Sequence, residues 1–479
     1  MVRYNNVMIK AVWDSKASDN LDMDFDCYIA EALLSEGRSD GTQEDTLAKY
    51  DVKNFSELAE AQQKLFKEYP QLEKLYYDIE LPLAKVLWQM EQKGILLDTK
   101  QLAKVGKDID QLLVSAEEAI IKETGGGINI NSPIQLGSFL AEKIGIPLGK
   151  TKTGRYATNE GELSKFKDQF PIIAHLLTYR ELMKLRSTYV ESLIQKVDEK
   201  SRIHTTYDQI RVNTGRLSSL NPNLQNIPVT SAIGLEIKSC FIADPGYVLV
   251  SFDYSQQELR VLAHLAGEKA LIKAFEEKQD VHTLTASKLF NVPYEEVSKQ
   301  QRSVGKTINF GIIYGMSSYG MSAGLNIPQE DAEQFIKAFY VSYPNIKTYY
   351  DNYLKNAKIH GFVTTMLGRR RYVFEDPKRK FIDNGMRRVL MNYPIQGTAA
   401  DLMKKGMVDV QEKILSKYPE VSLLLTIHDD LVFEIPENDK LKEIIKEIQA
   451  VLCDVYPLSV PLEVDVKIGK RWGDLQGFE

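Results

Sequence analysis

From Gln71 to Leu97 the apolar residues Leu72, Leu75, Ile79, Leu83, Val86, Leu87 and Met90 recur at three- and four-residue steps, which predicts helix, with Pro82 marking a kink or a fresh helix start. Ahead of it, the acidic stretch from Asp14 to Asp51 holds an apolar helical piece around Tyr28 to Leu34 and then Ser-, Gly- and Asp-rich loops, so a boundary is placed near Pro70. Behind it, Gly125-Gly126-Gly127 and the partly basic Lys150-Thr151-Lys152-Thr153-Gly154-Arg155 interrupt further helices with flexible loops able to reach a phosphate backbone. After Asp208 the pattern changes. Tyr247 to Phe252 is a short, almost wholly apolar run behind a Pro-Gly turn, as expected of a buried strand. Leu423 to Ile427 and Leu431 to Ile435 flank His428-Asp429-Asp430 and predict a hairpin with a polar tip. About a hundred residues between these strands are mostly helical by periodicity. Neither an internal repeat nor a low-complexity segment is present.

Composition changes this picture little. A chain of 479 residues is long enough for a few domains, or one large body around a shared cleft, with a sizeable core. At 43% hydrophobic and 26% charged it is ordinary for a soluble globular protein, and no apolar run is long enough to cross a bilayer. Met1 to Lys10 lacks the charged-then-apolar layout of a secretion signal, so the expectation is a cytoplasmic protein with no membrane partner. Cys27, Cys240 and Cys453 are far apart and odd in number, without a CxxC pair for zinc or redox chemistry. A net charge of -6 argues against coating nucleic acid by bulk charge, although local basic patches still bind phosphates.

The candidate chemistry starts at Asp253, which ends the apolar run and is delivered by it to a sheet edge with little freedom to move. Hard ions such as Mg²⁺ take oxygen ligands, commonly one or two protein carboxylates completed by water and substrate phosphates, and Asp429 at the hairpin tip is the second candidate. On residues alone an isolated strand-end Asp more often starts a turn or caps a helix, and spacing does not show that the two meet. Arg302, Lys306, Phe310 and Tyr314 fall at four-residue steps and share a helix face. Two cations followed by two aromatics suit a nucleoside triphosphate, with charge for the phosphates and flat surface for sugar and base. The same spacing also fits an amphipathic helix with core aromatics and solvated cations. Gly305, in the middle of that helix, costs roughly 1 kcal/mol against Ala and hints at a close approach there.

Taken together, these segments resemble a known family. Val250-Ser251-Phe252-Asp253-Tyr254-Ser255-Gln256-Gln257-Glu258-Leu259-Arg260, the Arg302 to Gly315 helix and Thr426-Ile427-His428-Asp429-Asp430 are similar, in order and separation, to the three motifs of family A DNA polymerases, the bacterial DNA polymerase I type. Thr214-Gly215-Arg216-Leu217-Ser218-Ser219, Pro222 to Pro228 and Asn392 to Asp401 extend the likeness, which covers residues 71–479. It implies an α+β right-hand architecture, a palm with an antiparallel sheet and helical fingers and thumb. The divisions implied are 1–70 as a truncated 3′-5′ exonuclease-like remnant, 71–206 as thumb, 207–262 with 385–479 as palm, and 263–384 as fingers.

The resemblance also implies roles. Asp253 and Asp429, with Tyr254 beside them, would hold two Mg²⁺ ions, for which Mn²⁺ substitutes, and Lys306 joins these two carboxylates among the catalytic groups. Arg302, Lys306, His282 and Gln256 would meet the incoming deoxynucleoside triphosphate, Phe310 and Tyr314 its sugar and base, and Glu258 would exclude ribose. Arg216, Asn226, Arg388, Asn392, Gln396 and His428 would hold primer-template DNA, largely without regard to sequence. The implied enzyme is a monomeric DNA-directed polymerase of replication or repair, with RNA templating left open.

This sequence departs from the family pattern in places. Gln257 stands where an apolar residue is usual, and Asp430 where Glu is usual. At the front, Lys10 to Lys16 and Phe25 to Ala30 are similar to the later part of the family's 3′-5′ exonuclease domain, without the preceding Asp-x-Glu strand, so neither proofreading nor 5′-nuclease activity is expected. Two rival readings are a non-catalytic DNA-end scaffold, disfavoured by Asp253, Asp429, Arg302 and Lys306, and a single-subunit RNA polymerase, disfavoured by Glu258 and Phe310.

Overall fold

A computed structural model describes residues 2–4, 7–35, 41–229, 231–373 and 382–478. Its organising element is a five-stranded antiparallel sheet of β1 (Tyr247–Tyr254), β2 (Ser422–Ile427), β3 (Asp430–Pro436), β4 (Val464–Gly469) and β5 (Gln476–Gly477), in the order β2-β3-β1-β4-β5. The strand β1 is central, so Asp253 lies at the end of an interior strand and not at a lateral edge of the sheet. Side chains alternate across a strand, and here the alternation separates two cores. Val248, Val250 and Phe252 enter the larger one together with Leu431, Phe433 and Ile435, whereas Leu249 and Val432 face the smaller one. A one-residue slip in β1 would exchange these faces, so the register that sets Asp253 opposite Asp430 is fixed by burial.

Helices cover the sheet and build the rest of the hand: α1 (Leu81–Lys93), α2 (Thr99–Thr124), α3 (Gln257–Ala266), α4 (Val281–Phe290), α5 (Lys299–Ile313) and α6 (Asn384–Val410) are the ones used below. The helix expected from Gln71 to Leu97 is divided. A π-turn spans Tyr76–Glu80, Pro82 sits in the first turn of α1, and Gly94 ends it with φ 60°. Ile95–Leu97 is a strand, not helix, because it pairs with Arg202–Ile203 on one side and Phe241–Ile242 on the other. The expected helical stretch between the sheet strands also contains an unforeseen hairpin, Phe362–Thr364 with Arg370–Tyr372.

Cys27–Leu34 is helical as expected, with Asp26 accepting from Tyr28 N and Ile29 N at its start. Its apolar core, including Phe25, Leu33, Leu58 and Phe66, continues without a break into Leu72, Leu75, Tyr76, Ile79 and Ala84, so packing crosses the chain at Pro70. Among the described residues no helix is long and apolar enough to cross a membrane.

Candidate active site

At the end of β1 the backbone N–H of Tyr254 donates to Asp429 O at 3.0 Å, which ties the strand to the tip of the β2–β3 hairpin. His428 turns that tip with φ 53°, and Asp430, the first residue of β3, pairs with Asp253 across the ladder. Three carboxyls therefore gather on two adjacent strands and their turn. Asp253 is half-buried, and burial, followed by the charges of Asp430 and Asp429, pushes its carboxyl up to about 6 against the pull of Lys467. Burial also raises Asp429, opposed by Arg216 and His428, and raises Asp430, opposed by a 2.6 Å hydrogen bond from Ser251 Oγ and by Lys238 and Lys467. Excess negative charge of this kind is relieved by a divalent cation, so the donor set fits the ions that the sequence implies. Among the described residues no group of three or more His, Cys, Asp or Glu forms a metal cage, and such a site would take its remaining ligands from water and phosphates. Tyr254 can offer only its backbone, because its buried phenol donates to Leu452 O at 2.8 Å.

Beyond β1 the chain passes through Gln256, in left-handed conformation at φ 51°, into α3. Glu258 on the first turn of α3 is 5% exposed and accepts from Arg216 Nη2 at 2.6 Å. It is neither solvated nor paired with Arg260, which binds Glu463 instead at 2.5 Å. Burial raises the Glu258 carboxyl, and burial together with the Glu258 charge pushes the Tyr314 phenol up to about 12, so these two groups lie close together. Among the described residues both amide atoms of Gln257 are buried without a partner, as is Gln256 Oε1.

The helix α5 presents the face that its spacing predicts. Arg302 and Lys306 are exposed and Phe310 is half-buried, while Tyr314, just past the last turn, is exposed, so these aromatics are not core. The Phe310 and Tyr314 rings are nearly parallel, 6.3 Å apart with 16° between planes. Gly305 permits a close approach, though to a helix and not to a ligand: a Cβ there would stand 2.4 Å from His282 O on α4. His282 lies 5.8 Å from the Phe310 ring, and its Nδ1 accepts from Asn309 Nδ2 at 3.0 Å, which leaves Nε2 to carry the proton. Burial, with Arg302 and Lys306 adding to it, lowers His282 to about 4. Arg302 is paired with Asp280 at 2.6 Å, while Lys306 is exposed on the same face.

Arg388, Asn392 and Gln396 follow one another at four-residue steps along α6; Arg388 is exposed, and Asn392 Nδ2 donates to Gln396 Oε1 at 3.2 Å. The end of α5 abuts this row, because a Cβ at Gly315 would lie 3.0 Å from Arg388 Cα. Asn226 is exposed and its carbonyl accepts from Tyr189 OH. A cavity lined by Arg216, Gln225, Lys404, Thr426, His428 and Asp429 joins the carboxylates to α6.

Two features escape sequence reading. Gln225 Nε2 donates to Thr426 O at 3.0 Å and holds the loop after Arg216 on the hairpin strand β2. Beneath the cavity, Glu80, Arg369, Asp401 and Lys404 form a buried ionic quartet, with Lys404 Nζ 2.7 Å from Glu80 Oε1 and Arg369 Nε 2.8 Å from Asp401 Oδ1. Its one local signal is the presence of Asp401 and Lys404, three residues apart, on a helical stretch in which Ala399, Ala400, Leu402 and Met403 are apolar.

The sequence model described as DNA polymerase family A matches residues 99–474. The chain is 43% identical over 430 residues to DNA polymerase I of Chloroflexus aurantiacus, covering 87% of this chain and 45% of that protein. It is 40% identical over 451 residues to DNA polymerase I of Geobacillus stearothermophilus, covering 93% and 51% respectively. The chain thus spans about half the length of the curated relatives it matches. Among solved structures, the POL domain of Pol1 from M. smegmatis in complex with DNA primer-template and dNTP superposes with a TM-score of 0.89 at 32% identity, over 97% of this chain and 86% of that one. With the family model matched over most of its length and the right-hand fold built around these carboxylates, the chain belongs to DNA polymerase family A.

Proposed function

We propose that the chain is a template-directed DNA polymerase that adds deoxynucleotides to a primer 3′ end. The observation that carries this reading is the convergence of Asp253, Asp429 and Asp430 at the end of β1, an anionic cluster in which burial and then the charges of Asp430 and Asp429 raise Asp253. Asp253, Asp429 and the Tyr254 backbone would hold two Mg²⁺ ions, or Mn²⁺ in their place, which when bound activate the primer hydroxyl and neutralise charge on the triphosphate. Lys306 and Arg302 would bind the phosphates, neutral His282 would donate to them from Nε2, and Gln256 would border the nucleotide. Phe310 and Tyr314 would flank sugar and base, with Glu258 beneath them excluding ribose. Arg216, Asn226, Arg388, Asn392, Gln396 and His428 would hold primer and template around the cavity that opens at Asp429.

In the same reading residues 71–206 form the thumb, 207–262 with 385–479 the palm, and 263–384 the fingers, while 1–70 is exonuclease-like, and the enzyme works as a cytoplasmic monomer. Primer extension with a labelled primer and each dNTP is the test: Asp253→Asn and Asp429→Asn should abolish extension while primer-template binding persists. Near-normal extension by either variant removes the central claim. The same assay with a mismatched primer reports proofreading, which appears as Mg²⁺-dependent shortening that chelator stops.

A further inference from the structure

The strands Thr206–Asp208 and Ser218–Leu220 form a hairpin whose long loop, residues 209–217, carries Arg216 to Glu258 and to the edge of the carboxylate cluster. Arginine side chains are long, and their placement depends on the backbone from which they leave. In this loop the backbone is clamped at both ends by the quartet. At the entry, Gln209 O accepts from Lys404 Nζ at 2.9 Å while Gln209 Nε2 donates to Glu80 Oε2 at 2.6 Å. At the exit, Gly215 has φ 81°, and a Cβ there would stand 2.5 Å from Arg369 Nε, so the loop lies directly against the guanidinium. Arg369 is itself held on several sides. Its Nε donates to Asp401, its Nη2 to Glu80, and its backbone N–H to Thr365 Oγ1 at 3.1 Å, while Thr365 Oγ1 donates to Asp401 Oδ2 at 2.7 Å. Gly397 on α6 closes the far side, since a Cβ there would lie 2.5 Å from Thr365 Cγ2 and 3.3 Å from Thr214 O.

We propose that Arg369, locked by Glu80 and Asp401, is a positioning residue for Arg216: the flat guanidinium against Gly215 sets the direction in which Arg216 leaves the backbone. The contact works in both directions, because only a residue without Cβ lets the chain approach the guanidinium this closely, and only a guanidinium fixed on two sides gives the chain a rigid surface. Two cations and two anions neutralise one another in the quartet, so it can be buried and rigid without a ligand, as a positioning element beside a charged site requires.

This inference rests on the reading of Arg216 as a primer-template contact, and a double-mutant cycle separates the two. Single-turnover extension rate and primer-template Kd are measured for the parent, Gly215→Ala, Arg369→Lys, Arg216→Ala and the two combinations with Arg216→Ala. Unfolding midpoints are measured alongside. Displacing a positioned group by about 1 Å costs up to a hundredfold, so Gly215→Ala should lower the extension rate at least about tenfold when Arg216 is present. In the Arg216→Ala background the same change should cost less than about twofold, because the group being positioned has been removed. Arg369→Lys keeps the charge, loses the fork and should show the same non-additivity; it stands in if the strained Gly215→Ala protein does not fold. Equal losses in both backgrounds overturn the positioning role and leave Arg216 as a substrate contact. A parental rate and Kd for Arg216→Ala overturn the reading of Arg216 itself, and the inference with it.

Discussion

Two clusters of charged residues lie on either side of the Arg216 loop, and both are largely withdrawn from water, yet they are built on opposite principles. The quartet holds Glu80, Asp401, Arg369 and Lys404, all no more than 6% exposed, as two anions and two cations within direct reach of one another. Burial alone would raise Glu80, but Lys404 and Arg369 hold it down to about 2, while burial brings Lys404 down to about 8 against the pull of Glu80. The palm cluster holds three carboxyls whose cations, Arg216, Lys238 and Lys467, stand only at its margin, and burial, followed by the charges of Asp430 and Asp429, raises Asp253 to about 6. Burying an ion is costly wherever it happens. Where the partners are inside, the cluster is a fastening; where they are lacking, the proposed function has ligands bring the missing charge.

Substitutions at the two clusters should therefore have opposite effects on activity and stability. Asp253→Asn or Asp429→Asn should lower primer extension about a thousandfold or more, since positioned metal ions contribute several kcal/mol to phosphoryl-transfer chemistry. The urea midpoint should stay level or rise, because one of several repelling charges has gone. Asp401→Asn or Lys404→Met should instead lose about 3–5 kcal/mol of stability, as expected when one partner of a buried ion pair is removed. Urea unfolding of all four variants decides it: an Asp253→Asn protein that unfolds early, or a Lys404→Met protein as stable as the parent, breaks the distinction.

The palm cluster was the more legible of the two in sequence, for a physical reason. Asp253 and Asp429 each sit at the end of a short apolar run, and period-two burial and turn chemistry are local signals. The Arg302 to Tyr314 face was legible in the same way, because helix periodicity is local too. The quartet draws on positions 80, 369, 401 and 404, each of which looks alone like a surface charge, and only tertiary packing brings them together. Ile95–Leu97 reads as helix in the sequence because an apolar triplet after a helix carries no period of its own, and its strand partners lie more than a hundred residues away. The hairpin at Phe362–Tyr372 was hidden by its basic composition. The pairing of Arg216 with Glu258 has no local signal either, because the two residues lie 42 positions apart.

A smaller effect is expected at Phe310 on α5. Its ring is half-buried between His282 and Tyr314, so the para position is the natural place to add one polar group. A phenol there can replace the polar partner lost with a missing 3′-hydroxyl, and a hydrogen bond to a charged group contributes roughly 1.5–3 kcal/mol, about tenfold to a hundredfold. Phe310→Tyr should accept dideoxynucleotides better by that factor, read as termination frequency at a fixed ratio of dideoxy- to deoxynucleotide. An unchanged termination pattern places Phe310 away from the sugar.

Glu258 tests the distinction most finely, because it lies beside the palm cluster yet has its own cation. Its 2.6 Å pairing with Arg216 looks like a fastening, whereas its place on the first turn after Asp253, close to the Tyr314 hydroxyl, looks like a wall of the nucleotide site. A filled position rejects a 2′-hydroxyl by overlap, whereas a loose apolar pocket discriminates poorly against an added hydroxyl. If Glu258 is the wall, Glu258→Ala should raise the ribonucleotide-to-deoxynucleotide ratio of kcat/KM at least about tenfold, roughly 1.4 kcal/mol of transition-state preference. If it is only a fastening, the same change should lower the urea midpoint through the unpaired Arg216 and leave the ratio alone. Arg216→Ala separates the two further: it removes the partner and keeps the wall, so ribose exclusion should survive while primer-template affinity falls. Competition between the two nucleotide types, run on both variants, gives the result, and an unaltered ratio in Glu258→Ala would assign ribose exclusion to another side chain.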